Sequence, residues 1–242
     1  MNENRYRSWA TTHPGAKRKY NEDTLVNRPD LGLWAVADGA GGHQAGEVAS
    51  GMIREALESI PTELSASELL AEVRIRITDT HAKLRDIARE RGEGAMIAST
   101  VVAVLARNEH FACLWAGDSR AYVLRDGVLR QVTRDHSLVQ DLVDSGTITE
   151  AEAENHPRAN VITRAVGADM DDFALDKITE RLQPGDRLLL CSDGLCKTLS
   201  HEAIAGFLGG DPGVPPSATL ISAALAQNAT DNITAIAIEF IG

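Results

Sequence analysis

The order of its elements predicts a layered α+β domain, with antiparallel sheets and helices packed outside them. Three observations lead there. Short apolar or alternating runs follow one another through residues 99–132 with no helix of any length between them, which excludes a repeating βαβ pattern. The helical stripes are fewer and longer, and they lie outside that stretch. The chain of 242 residues, 43% hydrophobic and 24% charged, is large enough for a sizeable core and excludes disorder as the main state.

Taken in order, LGLWAVA (31–37) is the first marked strand, and residues 45–59 read as a helix. Residues 65–91 carry an apolar stripe at Leu69, Leu70, Val73, Ile77, Leu84 and Ile87, and Ser65 followed by Glu68 fits a capping box. STVVAVLA (99–106), HFACLWAG (110–117) and RAYVLRDG (120–127) are strands. Asp126-Gly127, between two alternating runs, is the mark of a tight hairpin. The polar stretch 138–160 holds a short helix that Thr149 and Glu152 can cap. DRLLLCS (186–192) is a strand, 217–228 a helix and NITAIAIEF (232–240) the last strand. Too little chain follows the breaker cluster GGDPGVPP (209–216) to fold alone, so residues 1–242 are expected to form a single domain.

The charge balance narrows the function. Lys and Arg total 24 against 35 Asp and Glu, a net charge of −11, which argues against a nucleic-acid or anionic-membrane surface. Three cysteines argue against a disulfide scaffold and for a reducing compartment. No stretch is long and apolar enough to span a bilayer, and MNENRYRSWATTH has no apolar signal region. A cytoplasmic protein is expected, with no membrane and no nucleic acid among its partners.

Several apolar runs meet an aspartate. LGLWAVA runs into Asp38-Gly39, HFACLWAG into Asp118 and DRLLLCS into Asp193-Gly194, while Asp231 precedes NITAIAIEF. Each alone reads as a plain turn or strand terminator. Together they form, if the strand ends converge, a cluster of like charges that divalent cations would neutralise. Oxygen ligands suit Mg²⁺ or Mn²⁺, and Cys113, Cys191 and Cys196 are not matched to histidines at zinc-like spacing. Two such ions about 3.5–4 Å apart can activate water and stabilise a phosphoryl transition state. Cys191 and Cys196 then read as reduced core thiols.

The segments GAKRKYNED (15–23), VADGAGGHQAGEVAS (36–50), WAGDSRAY (115–122), TRDHS (133–137), NVITRAVG (160–167), LLLCSDGL (188–195) and DNITAIAI (231–238) make the pattern specific. In this order, across residues 15–238, the sequence resembles the PPM (type 2C) family of metal-dependent serine/threonine protein phosphatases, in its compact bacterial form. The resemblance implies a four-layer sandwich of two packed antiparallel β-sheets flanked by helices. It implies a phosphoric monoester hydrolase that removes phosphate from phosphoserine and phosphothreonine in bacterial signalling, opposing a eukaryotic-like Ser/Thr kinase. Phosphorylated proteins and that kinase are the expected partners of a monomer.

Carried over residue by residue, the resemblance implies that Asp38 bridges two Mn²⁺ or Mg²⁺ ions and Gly39 offers its carbonyl to one. Asp193 and Asp231 would complete the shell of the other. Glu22 and Asp23 resemble the residues that hold waters on the ions, and Arg18 the one that binds the substrate phosphate as a planar fork donor. Asp118 resembles the carboxylate that, with Asp193, holds a third and weaker ion. Residues 138–160 correspond to a flap beside the active site.

Other polar residues have bland readings. His136 in TRDHS suits a structural hydrogen bond, Arg120 a neighbouring carboxylate, and EAEAEN (150–155) a solvated helix face. Arg164 is open between phosphate and flap. Two positions depart from the family. Where many eukaryotic members have a histidine proposed as general acid, this chain has Ala40, leaving His43 or a water for that role. Ala98-Ser99-Thr100 replaces the usual Gly-Thr-Thr, a change expected to affect packing and not chemistry. A hydrolase of nucleotides or nucleic acid, disfavoured by charge and motif order, and a pseudophosphatase, whose signature would be a missing ligand, are the alternatives.

Overall fold

A computed structural model describes residues 5–41, 45–92, 94–154, 156–170, 172–211 and 213–242, and its strands pair into two antiparallel sheets. The first sheet runs β1 (Tyr6–His13), β11 (Ile233–Phe240), β10 (Arg187–Cys191), β7 (Arg120–Arg125) and β8 (Val128–Gln131). The second runs β2 (Asp23–Arg28), β3 (Leu33–Ala40), β5 (Val101–Arg107), β6 (His110–Ala116) and β9 (Asp176–Arg181), with the short β4 (Ala98–Ser99) against the end of β3.

Period-two alternation divides the core into three. On β3, Trp34 and Val36 point between the sheets, where they join Val102, Val104, Leu188, Leu190, Ile236 and Ile238. Leu33, Ala35 and Ala37 point the other way, onto the helices α1 (Ala45–Glu58) and α2 (Ala66–Arg91). On the far side, Leu189, Cys191, Ala235 and Ala237 meet α5 (Asp193–Cys196), α6 (His201–Leu208) and α7 (Pro216–Ala226). The layers are therefore helix, sheet, sheet, helix, as expected. A strand packed on both faces reads as a continuous apolar run, which is why LGLWAVA and NITAIAIEF were legible. No helix among the described residues is long and apolar enough to cross a membrane.

Local signals hold at α2, where the Ser65 hydroxyl accepts from Glu68 N–H and the Glu68 carboxylate accepts from Ser65 N–H at 2.8 Å. The β7–β8 hairpin turns at Asp126 and Gly127 with φ of 51° and 78°, the two positive angles of a type I′ turn. The stretch 138–160 carries α3 (Leu138–Asp144) and α4 (Glu150–Glu154), the latter begun by the Thr149–Glu152 capping pair.

Patterning did not mark β1, β2, β9 or α6. YRSWATTH and DKITER mix polar side chains into both faces at sheet edges, and HEAIAGFL is too short for a clear stripe.

Candidate metal centre

The sandwich brings acidic residues from both sheets together at one end. Asp23 opens β2 and stands directly opposite Asp38 in the β2–β3 register. Its Oδ2 accepts from the hydroxyls of Ser192, at the end of β10, and Thr234, on β11, each at 2.7 Å. These two bonds tie one sheet to the other. Its Oδ1 is buried without a partner. Burial, with Asp193 and Asp231 nearby, pushes the Asp23 carboxyl up to about 7 despite both hydroxyls.

Asp38 is held by its peptide. Its N–H donates to Thr100 Oγ1 at 3.1 Å, and its carbonyl accepts from Thr100 N–H and Ser99 Oγ, both at 2.9 Å. Ser119 Oγ in turn meets Thr100 Oγ1 at 2.7 Å. The Ala98-Ser99-Thr100 segment thus supports the site directly, which corrects its reading as a packing detail. Asp38 keeps partial solvent contact but lies deep in the protein. That burial, reinforced by Asp23, Asp193 and Asp118, raises its carboxyl well above the ordinary range.

Gly39 follows where β3 meets α1. A Cβ here would lie 2.1 Å from the carbonyl oxygen of Gly46, and one on Gly46 would lie 2.9 Å from Glu22 Oε1. Two glycines in contact are what let Glu22 and the Gly39 backbone share one edge of the site. Glu22 itself is anchored through its backbone. Its N–H donates to Asn232 Oδ1 at 2.9 Å, and its carbonyl accepts from Gly39 N–H and from Ser50 Oγ.

Arg18 reaches Asp231 with a fork, Nε to Oδ1 at 2.8 Å and one terminal nitrogen to Oδ2 at 2.9 Å. Asp118, at the end of β6, is only 3% exposed. The Lys197 ammonium stands between it and Asp193, 3.4 Å from Asp118 Oδ2 and 2.6 Å from Asp193 Oδ2. Burial first, and Asp193 second, raise the Asp118 carboxyl to about 6, with Lys197 opposing.

Other candidates stand apart. Arg120 grips both oxygens of Asp135, Nε to Oδ1 at 3.0 Å and a terminal nitrogen to Oδ2 at 2.7 Å. His136 accepts from Gly117 N–H at 3.1 Å through Nδ1 and faces Asp176 through Nε2 at 3.2 Å. Arg164 also binds Asp176, at 2.6 Å. Cys113, Cys191 and Cys196 are free thiols, and Glu150 and Glu152 lie exposed on α4. His43 lies outside the described residues. Sequence reading missed Asn232, whose amide donates to the carbonyls of Pro14 at 3.0 Å and Tyr20 at 2.9 Å. It sutures the Arg18 loop to β11. Its one signal was its place beside Asp231.

The donor set fits divalent cations. Among the described residues, three buried side-chain polar atoms lack a hydrogen-bond partner, and two are carboxylate oxygens of this cluster, Asp23 Oδ1 and Asp118 Oδ1. Unpartnered buried carboxylates beside like charges call for positive charge. Among the described residues, no three Asp, Glu, His or Cys side chains are drawn in as closely as a bound ion would hold them.

Known proteins resemble this chain over most of its length. The sequence pattern of the family described as Protein phosphatase 2C matches residues 17–231. The serine/threonine protein phosphatase PstP of Mycobacterium tuberculosis is 36% identical over 233 residues, 96% of this chain; the chain spans only 44% of that relative's length. Among solved structures, PppA, described as a key regulatory component of T6SS in Pseudomonas aeruginosa, is 40% identical with a TM-score of 0.88, covering 97% of each chain. The catalytic domain of PstP in complex with 2 manganese ions superimposes with a TM-score of 0.82 at 34% identity, covering 98% of this chain and 99% of that one.

Proposed function

The chain belongs to the Protein phosphatase 2C family, and from that membership and its carboxylate centre we propose that it is a Mn²⁺- or Mg²⁺-dependent phosphatase of phosphoserine and phosphothreonine in proteins. The observation that carries the reading is the convergence of Asp23 and Asp38, paired across β2 and β3 with Asp193 nearby and Asp23 Oδ1 buried without a partner, a crowding of carboxylates that supports a cation site.

Asp38 would bridge the ions, the Gly39 carbonyl would face one of them, and Asp193 and Asp231 would hold the other. Glu22 and Asp23 would anchor waters around them. Bound there, the ions would supply an activated water and neutralise charge developing on the phosphoryl group. The protein's own task is to position. Ser99 and Thr100 fix the Asp38 peptide, and Ser192 and Thr234 fix Asp23. Arg18, more than half exposed and already on Asp231, is placed to offer its outer N–H donors to phosphate oxygens.

The reaction class requires a kinase that writes the phosphoryl mark, and a cognate Ser/Thr kinase is the partner we propose. The free thiols support a reducing, cytoplasmic setting, and the continuous layered core supports one catalytic domain. Stretch 138–160, joined to the site through Asn160, is proposed as the flap. The test is phosphate release from matched phosphoserine, phosphothreonine and phosphotyrosine peptides and a nucleoside monophosphate, each with Mn²⁺. Release confined to the first two is expected. Preference for the nucleotide would overturn the substrate class.

A further inference from the structure

Lys197 brings a cation of its own into the carboxylate centre. It follows α5 in helical backbone conformation, its N–H bonded to Asp193 O at 2.8 Å, so its side chain lies one turn on and leans back over Asp193. An ammonium has three N–H donors. Here they face three oxygens: Asp193 Oδ2 at 2.6 Å, Asn160 Oδ1 at 2.9 Å and Asp118 Oδ2 at 3.4 Å. The other Asp118 oxygen is buried without a partner.

We propose that the Lys197 ammonium is the resident counter-ion of the Asp118–Asp193 pair and stands where a third divalent ion would need to bind, so that this chain holds the central ions alone. The inference rests on the metal-centre reading given above. A dication between Asp118 and Asp193 would have to share both carboxylates with the ammonium and would meet a like charge at close range. Lys197 also ties Asn160, at the end of the 138–160 stretch, to the same pair. It is a positioning residue.

The experiment is Mn²⁺ titration by calorimetry on wild type, Lys197→Ala and Lys197→Gln, with bound Mn²⁺ counted by the paramagnetic signal of the free ion. Both variants are expected to gain one further bound Mn²⁺ per chain, held at least ~10-fold more tightly than any wild-type binding beyond the central events. In chelator, Lys197→Gln is expected to melt below wild type, and saturating Mn²⁺ is expected to close that gap. A merely structural lysine would leave the gap unchanged. A further event of equal strength in wild type, no gain in either variant, or a gap indifferent to Mn²⁺ would each overturn the proposal. Absence of the central events in wild type would overturn the metal-centre reading itself and the inference with it, a failure distinguishable from the others.

Discussion

Arg18 and Asp231 form a two-pronged ion pair across the mouth of the site, with both contacts under 3 Å. The same guanidinium assigned to phosphate therefore also steadies a carboxylate assigned to an ion. Arg18→Ala is expected to lower kcat/KM for a phosphothreonine peptide by ~10- to 100-fold, the scale of a lost charge-assisted hydrogen bond. Most of that loss should appear in KM. Arg18→Lys should recover only a part, because an ammonium cannot reproduce the fork. Steady-state kinetics at saturating Mn²⁺ checks both, and an unchanged KM in Arg18→Ala would remove its phosphate role.

Asp38→Asn separates charge from shape. Without ions, the Asp38 carboxyl is crowded by Asp23, Asp193 and Asp118, so the neutral amide is expected to raise the melting temperature in chelator. With Mn²⁺ the same change removes a carboxylate proposed to hold the ions and should lower kcat by ~100-fold or more. Thermal melts and turnover on one protein preparation read both signs.

Stability of the metal-free protein should depend on pH in an unusual direction. Asp118 and Asp23 have folded-state values of about 6 and about 7, both above those of an unfolded chain. A raised carboxyl stabilises the fold below its unfolded value and loses that contribution as pH rises through its folded value. Melting temperature in chelator is thus expected to fall as pH rises from about 4 to about 7. Saturating Mn²⁺ should remove the fall. A flat metal-free profile across that window would contradict the crowding of these carboxylates.

The Gly39–Gly46 contact predicts a sharp contrast between two glycine substitutions. Gly39→Ala would place a methyl 2.1 Å from a backbone oxygen, so a loss of more than ~3 kcal/mol is expected. Gly206→Ala, on α6 with open space around it, should be neutral or stabilising by up to ~1 kcal/mol. Urea unfolding of each variant decides.

Which parts were legible in the sequence follows from where the information lies. Asp38, Asp118, Asp193 and Asp231 stood out because each adjoins an apolar strand, and burial makes a carboxylate there conspicuous. The α2 capping box and the Asp126-Gly127 hairpin are local and were read directly. Ser192, Thr234 and Asn232 were not, because their partners lie about 170 to 220 residues away across the sandwich. Lys197 lay in plain view four residues after Asp193, yet only the fold brings Asp118 and Asn160 to the same ammonium. The edge strands β1 and β9 escaped because half-exposed strands carry little apolar pattern.

The acidic end of the sandwich is proposed as a divalent-cation phosphatase site. Its most direct test is phosphate release from a phosphothreonine peptide by wild type and Asp38→Asn, first in metal-stripped buffer with chelator and then after Mn²⁺ is restored. The predicted result is no turnover by wild type until Mn²⁺ returns, and little by Asp38→Asn at any Mn²⁺ concentration. Full wild-type turnover in chelator, or an Asp38→Asn enzyme as active as wild type, would contradict it.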